Sequence, residues 1–221
     1  VKRKLVITKD GSHTLFVPAL DEHYHSTFGA LQESKYVFIS EGLNLCPGKN
    51  IAVFEVGFGT GLNALLAYLE AVARNIKITY YTIDNDPLDM QIIHKLNYPE
   101  ILKLDENGRK LFYNMHAGEW NKKLELHTNF IITRINDNIT SYTIPFTYDM
   151  VFFDAFAPEK QPGMWDKEVF RKIYNNMAHS GILTTYCAKG EVKRILKSTG
   201  FKVEMIQGPP GKRQIIRARK A

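Results

Sequence analysis

Ile51-Ala52-Val53-Phe54-Glu55-Val56, followed by Gly57-Phe58-Gly59-Thr60-Gly61-Leu62-Asn63, is the stretch from which the fold can be read. Its first six residues, mostly β-branched or aromatic, predict a strand buried on both faces. The alternate glycines predict a tight turn, and the apolar spacing over 62–74 predicts a helix. Downstream the alternation repeats. Residues 77–83 read as a second strand, and a helix is expected from Pro87 towards Leu104, with Pro87 in the first turn where its missing N–H costs nothing. Residues 105–127 show no clear period. Further strands are expected near Phe130-Ile131-Ile132, at 148–154 and at 182–186, with helices over 166–178 and 190–199. The last two strands, around 201–206 and 214–219, are joined by Gly208-Pro209-Pro210-Gly211. That link is too short for a crossover and predicts an antiparallel hairpin.

Working backwards, Leu5-Val6-Ile7-Thr8 and Thr14-Leu15-Phe16-Val17 flank Asp10-Gly11, a hairpin turn pair. Residues 28–39 mix helical and extended signals. The expected architecture is α/β and Rossmann-like. It has a mostly parallel seven-stranded sheet, a C-terminal antiparallel hairpin and a small N-terminal β extension. The expected division is 1–45 for the β-ribbon extension and 46–221 for the sheet domain.

In an open α/β sheet, ligands bind beyond the C-terminal ends of the strands, near the switch in strand order. Three carboxylates fall at such ends: Glu55, Asp84 and Asp154. A dinucleotide fingerprint would need G-x-G-x-x-G, and its last glycine position holds Leu62. The observed G-x-G-x-G, preceded by Glu55, is the form expected for S-adenosylmethionine. Gly57, Gly59 and Gly61 would bracket the methionine part, Glu55 would support the loop, and Asp84 would accept the ribose hydroxyls. Asp154 opens Asp154-Ala155-Phe156-Ala157-Pro158. A carboxylate beside a methyl donor can orient an amine and take its proton, and Phe156 and Trp165 can stack a base. His23, Tyr24 and His25 could line the substrate mouth. A histidine pair flanking tyrosine is more often surface or satisfied core, so they stay outside the catalytic set.

Lys and Arg outnumber Asp and Glu 29 to 23, a net charge of +6. Residues 193–221 hold nine basic side chains and one acid, Glu204. A positive end of this kind suits phosphate binding, or is a solvated surface. No apolar run approaches the roughly 18 residues of a membrane span. Cys46 and Cys187 lack metal-ligand spacing and read as reduced, packed thiols. A cytoplasmic protein without a metal site is expected.

The run Asp154-Ala155-Phe156-Ala157-Pro158-Glu159-Lys160-Gln161-Pro162-Gly163-Met164-Trp165 resembles the signature of the methyltransferase domain of the MnmC family. Gly57-Phe58-Gly59-Thr60-Gly61-Leu62-Asn63 is similar to that family's cofactor loop. Glu33-Ser34-Lys35-Tyr36-Val37-Phe38 is similar to its N-terminal segment, and Gly208-Pro209-Pro210-Gly211-Lys212-Arg213 to its Gly-Lys-Arg element. The resemblance runs from about residue 20 to the end. It implies N-methylation of 5-aminomethyl-2-thiouridine at the tRNA wobble position, with S-adenosylmethionine as donor. By their matching positions, Phe58, Thr60 and Asn63 join the cofactor set, and Pro158 joins Phe156 and Trp165 around the base. Lys212 and Arg213 would meet tRNA phosphate. Family members tend to carry an acid after the third strand to hold adenine. Here the stretch is Thr133-Arg134-Ile135-Asn136-Asp137, leaving Asp137, or Ile135 with a backbone N–H, for that role. The chain looks like a methyltransferase-only form without the family's flavin oxidoreductase domain, so another enzyme would supply the aminomethyl uridine. The alternatives are a methyltransferase acting on a small-molecule or protein amine, and a non-catalytic RNA-binding module with this fold.

Overall fold

The runs of Val, Ile, Phe and Tyr become strands because both of their faces are covered. The computed structural model describes residues 2–221. An antiparallel ribbon of β1 (Lys4–Ile7), β2 (His13–Val17) and β3 (Glu22–His23) comes first. Next is α1 (Ala30–Ser34), which continues directly into a π-helical turn, Lys35–Ser40. The alternating part follows as β4 (Asn50–Val56), α2 (Leu62–Ala73), β5 (Lys77–Asp84), α3 (Met90–Ile93), α4 (Tyr98–Ile101) and α5 (Glu106–Ala117). It continues with β6 (Lys123–His127), β7 (Phe130–Asn136), β8 (Tyr148–Phe153), α6 (Lys167–Asn176), β9 (Met177–Thr185) and α7 (Gly190–Ser198). The hairpin of β10 (Lys202–Gln207) and β11 (Gln214–Arg219) completes it.

The main sheet has the order β10-β11-β9-β8-β4-β5-β7-β6. Strands β9, β8, β4, β5 and β7 pair in parallel. Strand β11 lies antiparallel between β9 and β10. Strand order switches at β4, which has β5 on one side and β8 on the other. The crevice at these three C-terminal ends is therefore the expected ligand position.

The α/β class and the C-terminal hairpin match the expectation; three local readings are corrected. The sheet has eight strands, because β6 adds antiparallel to β7 at the edge. The stretch without a clear period, 105–127, holds both α5 and β6; Asp105 caps α5 by accepting from the Gly108 N–H at 2.8 Å. The single helix expected from Pro87 is broken into α3 and α4, and Pro87 lies before both, with Asp89 as the N-cap of α3. Pro99 explains the break: it lacks an N–H and its ring would strike the carbonyl four residues earlier, so the helix restarts around it.

Alternation in the central strands sends side chains to two cores. Ile51, Val53, Tyr80, Ile132 and Phe152 pack with α2 and α5 on one face. Phe54, Val56, Ile83, Val151 and Phe153 pack with α6 and α7 on the other. Both cysteines are buried free thiols. No helix among the described residues is long and apolar enough to cross a membrane.

The ribbon is bonded into this body rather than laid upon it. At its turn, Asp10 accepts the backbone N–H of Gln32 at 2.9 Å and the Ser12 hydroxyl accepts that of Leu31 at 3.1 Å. These side chains satisfy the first donors of α1, which has no side-chain cap of its own. Asn97 accepts the His13 N–H at 2.9 Å and donates to the Gly11 carbonyl at 2.9 Å. Leu15 of β2 enters the core beside α2.

Candidate functional site

A cavity of about 710 Å³ opens at the C-terminal ends of β4, β5 and β8. This is within the usual range for small-molecule sites, about 300–1,000 Å³. One wall is Gly57 to Thr60 and Ile83 to Asp86, continued by Asp137 to Ile139 and by Asp154 to Ala157. The opposite wall comes from the ribbon and α1, from Tyr186, and from Gly211 and Lys212 of the β10–β11 turn.

The glycine loop is shaped by what surrounds it. At Gly57, φ is +96° and an added Cβ would lie 2.6 Å from the Asp154 carbonyl oxygen. A side chain there would force apart the two strand ends that form the crevice. A Cβ on Gly59 would come within 2.9 Å of the Tyr24 ring. The loop then enters α2, whose N-terminus carries no side-chain cap and so keeps backbone donors for an anion. Beneath the loop lies a support absent from the sequence reading. Arg134 of β7 is 3% exposed, donates to the carbonyls of His116 (2.6 Å) and Gly118, and lies over the Trp120 ring at 4.6 Å. Burial lowers this guanidinium to about 10. His116 packs on Phe58 with ring centroids 4.9 Å apart, and its Nε2 would be 2.5 Å from a Cβ on Gly61. Burial pushes His116 down to about 3, so the ring is neutral.

Asp84, at the end of β5, accepts the Gly59 N–H through Oδ2 at 2.9 Å and the Asp86 N–H through Oδ1 at 2.9 Å. Two main-chain donors thus fix the carboxylate while each oxygen retains a lone pair. That is the valence needed to hold a vicinal diol. Burial raises its pKa, and the two backbone donors oppose the rise.

Asp154 lines the same cavity and accepts from Asn63 Nδ2 at 2.8 Å. Burial pushes its carboxyl up to about 7; the Asn63 bond opposes this, Glu33 adds to it and Lys212 reduces it. A carboxyl near neutrality exchanges protons easily at physiological pH. Glu55, fully buried beneath, is raised well above the carboxylate range by desolvation.

On the ribbon side, Tyr24 meets Phe156 edge-on with centroids 5.0 Å apart and accepts from Arg3 Nε at 3.0 Å. Arg3 also pairs with Asp86 at 2.6 Å, tying β1 to the loop after β5. The buried His25 ring hydrogen-bonds Thr60 Oγ1 through Nε2 at 2.8 Å, and Tyr98 donates to the same oxygen at 3.2 Å. Desolvation lowers His25 to about 4. Six carboxylates (Glu22, Glu33, Asp84, Asp86, Asp137 and Asp154) line the cavity against one lysine, Lys212. On a protein with net charge +6, this is an acidic well suited to cationic ligands.

Of the residues singled out by sequence, Gly57, Phe58, Gly59, Thr60, Asp84, Asp137, Asp154, Phe156 and Lys212 converge on this cavity. Glu55, Gly61 and Asn63 support it from behind. Trp165 requires correction. It is 3% exposed, donates to the Phe156 carbonyl at 2.7 Å and packs against Phe153, so it is turned into the core and not towards a base. Pro158 is buried away from the cavity lining. The basic tail is also less free than its charge suggests. Arg217 is paired with Glu41 at 2.8 Å and Glu204 at 2.7 Å, and Lys220 donates to the carbonyls of Tyr174 and Met177. Lys212 pairs with Glu33 at 3.2 Å, and Arg213 is exposed beside it. Strand direction places Lys212 and Arg213 at the cavity end of the sheet and Lys202 at the opposite end. The sequence reading missed Glu33, Tyr186 and the Arg134–His116 support. Glu33 had a signal, as the first residue of the 33–38 run that resembles the family's N-terminal segment; the others had none in local periodicity.

S-adenosylmethionine fits this donor set: a glycine cradle that a Cβ would fill, an uncapped helix N-terminus, a diol acceptor at Asp84 and an acidic well for a sulfonium. Known proteins carry related chains. The bifunctional protein MnmC of tRNA 5-methylaminomethyl-2-thiouridine biosynthesis from Pseudomonas fluorescens is 28% identical over 210 residues, covering 89% of this chain and 32% of that protein. The protein of the same name from Hydrogenovibrio crunogenus is 26% identical over 213 residues, covering 91% and 32%. This chain thus spans about a third of the length of the curated relatives it matches. The crystal structure of MNMC2 from Aquifex aeolicus superposes with a TM-score of 0.80 at 24% identity, covering 98% of this chain and 69% of that one. Spermidine synthase from Thermotoga maritima shares the fold at a TM-score of 0.56 and 11% identity, covering 100% and 72%. A family profile described as S-adenosyl-L-methionine-dependent methyltransferase matches residues 103–221, more than half of the sequence, and the chain therefore belongs to that family.

Proposed function

We propose that this chain N-methylates the aminomethyl group of 5-aminomethyl-2-thiouridine at the wobble position of tRNA. The observation that carries this reading is Asp154. It is a carboxyl held at about 7 inside an acidic cavity, between the glycine loop and a wall of Tyr24 and Phe156. When bound, S-adenosylmethionine supplies an electrophilic methyl group on a sulfonium sulfur. An alkylammonium ordinarily titrates near about 10 and must lose a proton before it can act as a nucleophile. Asp154 holds the nitrogen by charge-assisted hydrogen bonds and accepts that proton, while Asn63 keeps the carboxylate oriented. Gly57 and Gly59 would bracket the methionine part, Asp84 would hold the ribose, and Asp137 would border the adenine, since Ile135 is packed in the core and does not line the cavity. Phe156 and Tyr24 flank the uracil, and the walls exclude water from the transfer.

In this reading residues 2–45 are not an appendage but the substrate-side wall of the domain formed by 46–221. Arg213, exposed at the rim, meets tRNA phosphate, while its neighbour Lys212 is turned onto Glu33. The reaction exchanges the sulfur–methyl bond for a nitrogen–methyl bond and releases S-adenosylhomocysteine, so a separate activity must first place the aminomethyl group. A tRNA substrate puts the reaction in the cytoplasm. The names of the relatives and the fold shared with MNMC2 support the assignment.

The test is methyl transfer from labelled S-adenosylmethionine to tRNA bearing 5-aminomethyl-2-thiouridine, with mass spectrometry of the nucleosides. Wild-type protein should add a single methyl group to that nucleoside, and Asp154→Ala should lose transfer while retaining S-adenosylhomocysteine. Transfer to a small amine in preference to the tRNA would overturn the assignment, as would undiminished activity of the alanine variant.

A further inference from the structure

Glu33 is 7% exposed and belongs to α1, far in sequence from the strand-end acids. Its Oε2 accepts the Ser26 N–H at 2.8 Å, which fixes the carboxylate. Its Oε1 lies 3.2 Å from Lys212 Nζ, and that ammonium also sits over the Tyr186 ring, 4.6 Å from the centroid. Tyr186 is in turn anchored by donating to the carbonyl of Ala155, the residue after Asp154, at 2.9 Å. Glu33, Lys212, Tyr186 and Asp154 all line the one cavity. Two carboxylates and an aromatic face make up the environment that binds an alkylammonium, and the chain's own primary ammonium lies in it.

Resting on the proposed amine substrate, we infer that Glu33 is the second carboxylate of an ammonium-binding pair with Asp154, and that Lys212 occupies its place until a substrate ammonium displaces it. The exchange is like for like: one primary ammonium leaves Glu33 and another arrives, so the buried carboxylate is never left without a cation. Lys212 carries its charge on a flexible stem at the rim and can return it to water. A neutral group at the same position of the base, such as a hydroxymethyl, offers no charge in exchange and would leave Glu33 buried and unpaired. The pair therefore selects amine over alcohol by penalising the wrong group. Glu33 and Lys212 are specificity-determining residues in this account, and the transferred proton still goes to Asp154.

The test uses the full chain saturated with S-adenosylhomocysteine and two anticodon stem-loop RNAs, one with 5-aminomethyluridine and one with 5-hydroxymethyluridine at the wobble position. Calorimetric titration should show E33Q weakening the aminomethyl RNA at least about tenfold, the scale of a lost charged hydrogen bond, and binding the hydroxymethyl RNA more tightly than wild type, because no buried charge is left unpaired. Gln keeps an acceptor for Ser26, and undiminished S-adenosylhomocysteine affinity reports an intact fold. E33D should recover part of the loss. K212M should bind the aminomethyl RNA at least as well as wild type and keep the discrimination between the two RNAs, because Glu33 is still left unpaired by the alcohol. Single-turnover pH profiles add a readout that a merely structural tie would not move. The titratable groups electrostatically coupled to Asp154 are Glu33 of α1, Lys212 of the β10–β11 turn, Glu55 of β4, Tyr80 of β5, Tyr98 of α4, and Tyr186 after β9. Among these, removing Glu33 should move the acidic limb to lower pH, and removing Lys212 should move it to higher pH. The inference fails if E33Q binds the aminomethyl RNA as wild type does, or if K212M loses it as fully as E33Q. Failure of the wild type to bind that RNA at all would instead sink the amine reading itself.

Discussion

On the sheet side of the cavity, the groups placed to meet the nucleotide are main chain or are held by main chain, and Asp154 alone is held by a side chain, Asn63. Gly57 allows the loop to turn, and Asp84 is fixed by the N–H groups of Gly59 and Asp86. On the ribbon side, much of the lining is side chains tied to other side chains. Examples are Tyr24 by Arg3, His25 by Thr60, and Glu33 facing Lys212. A wall of backbone tolerates almost no change in shape, because every peptide group is already committed to a strand or a turn. A wall of paired side chains can be re-specified one residue at a time. The division suits a transferase whose donor is constant and whose acceptor must be selected.

The largest effect should come from the sheet wall. Gly57→Ala puts a Cβ 2.6 Å from the Asp154 carbonyl at a φ of +96°. The expected cost is about 2–4 kcal/mol in urea unfolding, together with loss of S-adenosylhomocysteine binding by calorimetry. Near-normal binding would break the comparison, since that wall would then be adaptable.

A smaller effect is expected where the walls meet. The folded state keeps Asp154 protonated up to about 7, whereas the unfolded chain ionises it near about 4. As pH rises from about 4 to about 7, the unfolded state releases a proton that the folded state retains, so the wild type loses stability across that window. Asp154→Asn removes this penalty and should be more stable than wild type by about 1–3 kcal/mol above pH about 7, with no advantage below about 4. Melting curves across this range check the sign, and a variant that gains nothing with rising pH would show that the carboxyl is ordinary.

The smallest effect sharpens the boundary of the ribbon wall. Trp165→Phe removes the bond to the Phe156 carbonyl and should cost about 1 kcal/mol while leaving the KM for tRNA unchanged. A raised KM with unaltered melting would return the indole to the pocket.

The sheet wall was legible in the sequence because its determinants are local. A buried strand, alternate glycines and an acid at the next strand end follow one another with the periods that backbone geometry imposes. Asp154 was legible for the same reason, at the end of β8. Trp165 was misplaced because a tryptophan near a strand end has the same signature whether it turns outward or inward; only its partner, the Phe156 carbonyl, decides. Glu33 and Lys212 lie at opposite ends of the chain, and no local pattern encodes their meeting. Helix α5 and strand β6 were missed because half-exposed elements at a sheet edge carry weak apolar periodicity; His116 was hidden with α5, and without it nothing marked Arg134 of β7 as a support. The charge excess at residues 193–221 was counted correctly, but a count cannot show that Arg217 and Lys220 are engaged internally.

Strand β11 lies between β9 and β10 although it follows both along the chain. Translation therefore exposes β10 before the strand that joins it to the sheet, and the edge of β9 stays open until residues 214–219 arrive. The turn that carries Lys212 reaches Glu33 only when this insertion is complete. A partly assembled chain can have a finished nucleotide cleft while its acceptor side still lacks a gatekeeper. Discrimination between acceptors is thus acquired last.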